Sequence, residues 1–167
     1  MGRVSTKQIL FVCTGNSCRS VMAQGLLQKR MKELQHRLQQ PIEVASAGVF
    51  AIDGMSPSRE TLRLLQEDGV DLSAHMARNL SYEMIREAAL ILVMEEFQAE
   101  EILRRVPDAR GKVHLLKRFG LTNPAPAEDP NIPDPIGKPK EIYEVCFAMI
   151  RDSVERVAQR IVAGQGP

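Results

Sequence analysis

Apolar runs of strand length alternate along this chain with longer stretches of helical period. Gln8 to Val12 is a short, nearly continuous apolar run and reads as a buried strand. Val21 to Leu38 is rich in Met, Leu, Gln, Lys and Arg, the composition of a helix. Ile42 to Ser46 predicts a second short strand. Ser56 before Pro57 supplies a cap followed by proline at a first helical position, so a helix is expected to run to Asp68, where Gly69 ends it. Ser81 caps a short helix reaching Ala88, and Ala89 to Met94 forms a strongly apolar third strand. Glu96 to Arg105 predicts a helix that stops before Pro107. Lys112 to Leu116 is the fourth strand, and Lys140 to Val162 is a long closing helix.

This β-α-β-α-α-β-α-β-α rhythm predicts an α/β fold: a four-stranded parallel sheet with helices on both faces. No repeat, low-complexity tract or linker divides the chain, so residues 1–167 read as a single domain with its core over about 7–163. Ligands in such folds sit beyond the carboxyl ends of the strands, and the first strand ends at Cys13. Between Asn123 and Pro139 lie six prolines and little regular pattern. Irregular segments of that length are often functional.

Composition narrows the class without naming an activity. With 44% apolar and 26% charged residues the chain is an ordinary globular one, and its net charge of +1 offers no electrostatic case for nucleic acid or an anionic membrane as partner. No stretch approaches the roughly 20 apolar residues of a membrane span, and the N-terminus lacks the apolar core of a signal peptide. The cysteines at 13, 18 and 146 are odd in number, which argues against a disulfide framework and for a reducing, cytoplasmic setting. Cys146 shares an apolar helix face with Phe147 and Ile150 and reads as core. No metal or cofactor is implied, and nothing in the pattern bears on oligomeric state.

The chemistry concentrates in Cys13-Thr14-Gly15-Asn16-Ser17-Cys18-Arg19-Ser20. A loop between a strand and a helix N-terminus aims backbone N–H groups at whatever occupies it, and the helix dipole adds positive character. Gly15 is expected to relax the backbone and let a ligand approach closely. Arg19 offers a planar fork matching two oxygens of a phosphoryl group. Thiols at helix N-termini beside a cation ionise more readily than free thiols, as a nucleophile at neutral pH requires, and Ser20 can donate a hydrogen bond to the sulfur of Cys13. Cys18 is either an inert neighbour or a partner for a reversible disulfide with Cys13. Thiolate attack on phosphorus also needs an acid to protonate the leaving group. Asp134, between Pro133 and Pro135, is the candidate, with Asp129 its local competitor. The Gly-Lys-Ser/Thr of a nucleotide-binding loop is absent here.

With these residues the chain resembles the low-molecular-weight protein tyrosine phosphatases along nearly its whole length. The matching segments are the first strand with its Cys13–Ser20 loop, Ser46-Ala47-Gly48, the segment from Gly69 to Arg78, and Asp134-Pro135 followed by Gly137 and a final helix. The resemblance implies Cys13 as nucleophile, Arg19 as transition-state clamp and Asp134 as general acid and then base for water. It implies that Asn16, Ser20, Ser46 and His75 form a hydrogen-bonded support for a phosphate-binding loop made of Thr14, Gly15, Asn16, Ser17, Cys18 and Ser20. The partner is then a phosphorylated protein or peptide, most simply one carrying phosphotyrosine.

The chain departs from the phosphotyrosine pattern at its rim. Ser17 replaces a bulky aliphatic residue, Val21 replaces a proline, and Phe50 and Ile136 form the substrate wall where two aromatics are usual. The protein arginine phosphatase branch of the family shares the run from Ser46 to Ala51 and a small hydroxyl residue at the Ser17 position, so phosphoarginine is the alternative substrate. Thioredoxin-linked arsenate reductases share the loop sequence, but they relay a disulfide through two further mid-chain cysteines, and this chain has none between Cys18 and Cys146. A phosphate-binding module without catalysis is the remaining, less favoured reading.

Overall fold

A computed structural model describes residues 4–123 and 128–164. Strands β1 (Lys7–Cys13), β2 (Ile42–Gly48), β3 (Leu90–Val93) and β4 (Val113–Leu115) form one parallel sheet in the order β2-β1-β3-β4. The helices are α1 (Arg19–Glu33), α2 (Arg59–Glu67), α3 (Tyr82–Glu87), α4 (Glu96–Arg105) and α5 (Lys140–Val162). The predicted α/β rhythm is therefore the observed one.

Alternation along the central strand β1 splits the core in two. Ile9, Phe11 and Cys13 point to the face covered by α1, α2 and α5, where they meet Leu26, Leu65, Phe147 and Ile150. Leu10 and Val12 point to the other face, against Ile85 of α3 and Ile102 of α4. A strand covered on both sides reads as a continuous apolar run, which is why Ile9-Leu10-Phe11-Val12 shows no polar alternation. From β1 the chain steps to β2 on one side and then to β3 on the other. This reversal opens a crevice at the carboxyl end of β1, the position such sheets use for ligands.

Several boundaries differ from expectation. Helix α1 begins at Arg19 rather than Val21, because the Met22 amide already donates to the Cys18 carbonyl at 2.9 Å. It ends at Glu33 rather than Leu38 and tightens into a 3₁₀ turn at Gln35–Arg37. The cap of α2 is Ser58, not Ser56. The Ser58 amide donates to the Ser17 carbonyl at 3.0 Å, which holds Ser58 extended and leaves its hydroxyl to receive the Thr61 amide. Pro57 therefore precedes the helix instead of opening it. Residues Pro107–Lys112 form a 3₁₀ segment where only a stop was expected. Ser81 caps α3 as expected, and α4 and α5 match at both ends. Part of the proline-rich stretch, 124–127, lies outside the described residues.

Candidate active site

The loop between β1 and α1 wraps around the Cys13 sulfur. The Asn16 amide donates to Sγ at 3.2 Å, and the Ser20 hydroxyl lies 3.0 Å away. Cys18 caps α1 without a side-chain hydrogen bond, and the first turn of α1 carries no acidic residue. Its leading N–H groups and dipole therefore face the loop unopposed by side chains, an arrangement that favours an anion.

Asn16, not Gly15, is the residue in the left-handed conformation, at φ 53°. Gly15, expected to be the flexible point of the loop, is not in that conformation. Asn16 is held there by its fully buried amide. Nδ2 donates to Ser20 Oγ at 2.8 Å and to Ser46 Oγ at 2.9 Å, while Oδ1 accepts from the Arg78 amide at 3.1 Å and faces His75 Nε2 at 3.2 Å. All four hydrogen-bonding positions of that amide are used. This fixes proton directions around it. His75 must carry its proton on Nε2, and Ser20, already accepting from Asn16, is free to donate to Cys13. Burial is the main cause that lowers the His75 pKa, with Arg78 acting the same way against the opposing bond to Asn16.

The glycine that the loop does require is Gly48, at the end of β2. A Cβ there would collide with the Thr14 carbonyl oxygen and come within 3.0 Å of the Asn16 amide nitrogen. The loop thus packs directly on the β2 backbone, and the Phe50 amide donates to Thr14 O at 3.0 Å.

Arg19 is 1% exposed, and a guanidinium so buried needs partners. Nη1 donates to the Ile132 carbonyl at 2.7 Å and pairs with Glu95 Oε2 at 3.1 Å; Nη2 lies 3.6 Å from Asp134 Oδ2. Ile132 also sends its amide to Met94 O at 2.8 Å, which anchors the Asp134 loop to the end of β3. Asp129 is engaged elsewhere, its carboxylate accepting from the Asn131 amide at 2.9 Å. Between the two candidate acids, the fold brings Asp134 to Arg19.

Phe50 and Ile136, the expected substrate wall, are both exposed, at 62% and 54%. The Phe50 amide ties that side chain to the Thr14 end of the loop, and Ile136 follows the Asp134-Pro135 pair. Ser17 lies on the same loop, its hydroxyl 3.8 Å from Cys18 Sγ. Cys18 in turn donates to Ser58 Oγ at 3.3 Å and approaches the Tyr143 hydroxyl at 3.9 Å. All three cysteines are buried free thiols. Cys146 belongs to the core as expected, and burial pushes its thiol up to about 12. Among the described residues no group of His, Cys, Asp and Glu is arranged to hold a metal ion, and no helix is long and apolar enough to cross a membrane.

Sequence reasoning missed Glu95, Gln98, Ser58 and Tyr143. For Glu95 a signal existed, since an acid directly after an apolar strand in a parallel sheet falls at the ligand-binding end. The others sit in helical turns that look like ordinary surface positions until the fold brings them to the loop.

Comparison with known proteins gives a consistent picture. Residues 8–165 match the family described as low molecular weight phosphotyrosine protein phosphatase. The chain is 36% identical to a protein-arginine-phosphatase of Geobacillus stearothermophilus, over 95% of this chain and 98% of that one. It is 34% identical to the low molecular weight protein-tyrosine-phosphatase Wzb of Escherichia coli (strain K12), over 94% and 97% of the two chains. Among solved structures, a YwlE arginine phosphatase mutant with phosphorylated active site serine superposes with a TM-score of 0.79 at 27% identity, over 92% of this chain and 94% of that one.

Proposed function

The chain belongs to the low molecular weight phosphotyrosine protein phosphatase family, and on that premise we propose that it hydrolyses protein phosphotyrosine through a phosphocysteine intermediate. The observation that carries this reading is the convergence of Cys13 Sγ, the Arg19 fork and the Asp134 carboxyl group beyond the end of β1. In the first step the Cys13 thiolate attacks phosphorus, an S–P bond forms and the P–O bond to the tyrosyl ring breaks. Asp134, in its acid form, delivers a proton to the departing oxygen. In the second step Asp134 takes a proton from water as the water oxygen attacks phosphorus, and the S–P bond breaks to release inorganic phosphate. Loop N–H groups and Arg19 hold the non-bridging oxygens through both steps. The phosphorylated serine of the YwlE mutant supports a covalent route on this fold.

The apolar rim of Phe50 and Ile136 suits an aromatic leaving group. One specific observation favours phosphoarginine as a second reading: Ser17 puts a small hydroxyl on the loop, in keeping with a polar guanidinium, and an arginine phosphatase is among the relatives. In either reading the enzyme acts in the cytoplasm. The test compares kcat/KM on phosphotyrosine and phosphoarginine peptides for the wild type, Cys13→Ser and Ser17→Ile. Cys13→Ser should lose at least about a thousandfold on both substrates, and Ser17→Ile should raise the phosphotyrosine-to-phosphoarginine ratio. Near-normal turnover by Cys13→Ser removes the covalent mechanism, and an unchanged ratio removes Ser17 as the specificity determinant.

A further inference from the structure

Gln98, in the first turn of α4, is completely buried, yet it is polar and lies outside the catalytic loop. Its amide has no free hydrogen-bonding position. Oε1 accepts from the Met94 amide at 2.8 Å and from the Glu95 amide at 3.0 Å. Backbone N–H groups can only donate, so the oxygen must face them and the nitrogen must face the other way. That nitrogen donates to Thr14 Oγ1 at 3.2 Å and to Glu95 Oε2 at 3.4 Å. Thr14 follows the nucleophile directly in the loop. Glu95 Oε2 is the oxygen that pairs with Arg19 Nη1 at 3.1 Å. One side chain therefore touches the start of the phosphate loop and the carboxylate that steers the arginine at its end.

We propose that Gln98 is a positioning residue that sets the spacing between the Cys13 loop and Arg19, holding Thr14 and Glu95 with its amide nitrogen. The proposal rests on the phosphatase reading for its meaning, but its geometry does not depend on turnover. A helix cap needs only the oxygen of Gln98. The nitrogen's two contacts both lead to groups that meet the phosphoryl oxygens. Loop and arginine approach from opposite ends of the same eight residues, and a displacement of about 1 Å between such groups is enough to cost on the order of a hundredfold in rate.

Gln98→Glu separates the two functions of the side chain. It keeps an acceptor for the Met94 and Glu95 amides and lets Thr14 donate to it, but it turns a donor to Glu95 into a repelling oxygen. The readouts are the dissociation constant of inorganic phosphate by calorimetry, kcat on an aryl phosphate, and Tm. In the wild-type background we expect about tenfold weaker phosphate binding and about tenfold lower kcat. In a Glu95→Gln background the same change should cost less than about twofold, because the group it acts through has lost its charge. Direct repulsion of phosphate by the new carboxylate would persist in both backgrounds, so equal costs overturn the proposal. So does a lowered Tm with phosphate affinity unchanged, the signature of a merely structural role. If Gln98→Glu does not fold, Gln98→Met, neutral and of similar length, is measured in its place: it removes the amide nitrogen from Thr14 and Glu95, so about tenfold weaker phosphate binding is expected and wild-type phosphate affinity overturns the proposal. A wild type that binds phosphate but turns nothing over contradicts the phosphatase reading and leaves the binding arm of this test decisive for Gln98.

Discussion

Replacing Asn16 by Ala tests the loop support without reference to catalysis. The side chain makes four hydrogen bonds in a fully buried setting, to Ser20, Ser46, His75 and the Arg78 amide. At about 0.5–1.5 kcal/mol each, their loss amounts to roughly 2–6 kcal/mol. Holding Ala at a φ of 53° adds a further ~1 kcal/mol. The central expectation is a loss of about 5 kcal/mol, a large share of the roughly 5–15 kcal/mol that stabilises a typical domain. For a chain of this size each kcal/mol moves Tm by roughly 2–4 °C, so Tm should fall by roughly 10–20 °C. The assay is equilibrium unfolding in urea, with calorimetry for Tm. Asn16→Gly supplies the control, because it loses the same hydrogen bonds and none of the backbone strain. In a helix Ala is favoured over Gly; here Gly should be the more stable by about 1 kcal/mol. A loss below about 1 kcal/mol for Ala, or Ala outranking Gly, would falsify the account of this residue.

Two further outcomes follow from the same geometry. Burial is the largest cause lowering the pKa values of both His75 and His114 below the ordinary 6.5, with Arg78 and Arg160 adding to it and hydrogen bonds to Asn16 and Gly111 opposing. Between the folded and unfolded values the unfolded chain binds more protons, so stability is fully present above about pH 6.5 and is lost as pH falls through the lower folded values. Urea unfolding across that window should show this slope, and His75→Gln should flatten it; an unchanged slope excludes His75 as a contributor. Asp134→Asn should lower kcat on phosphotyrosine by roughly 10²–10⁴-fold, with a smaller loss on a nitrophenyl phosphate whose leaving group needs little protonation. Equal losses on the two substrates argue against Asp134 as the acid.

The fold was legible because its signals are local. Continuous apolar runs marked the doubly covered strands, and the ends of α4 and α5 coincide with their composition and punctuation. Ser81 caps its helix through a partner three residues on, the Met84 amide, so its role is legible from local sequence. Ser58 caps α2 in place of the expected Ser56 because a contact across 41 residues recruits it, its amide meeting the Ser17 carbonyl. Gly15 is the permissive residue by type, yet the left-handed position is Asn16, whose strain is offset by four partners that no local pattern reveals.

What the sequence determined by itself is the chemistry within reach of one turn of chain: a thiol at a strand end and a helix N-terminus five residues on, opened by an arginine. Those relations depend only on backbone geometry over Cys13 to Ser20. Tertiary structure decided everything that reaches this loop from afar. Ser46 arrives from β2, His75 and Arg78 from the segment before α3, Glu95 and Gln98 from the head of α4, and Asp134 from the loop before α5. Each of these is an ordinary polar residue along the chain. They act together because the parallel sheet turns the carboxyl ends of β1, β2 and β3 to one edge, and because buried polar groups there must find one another as partners.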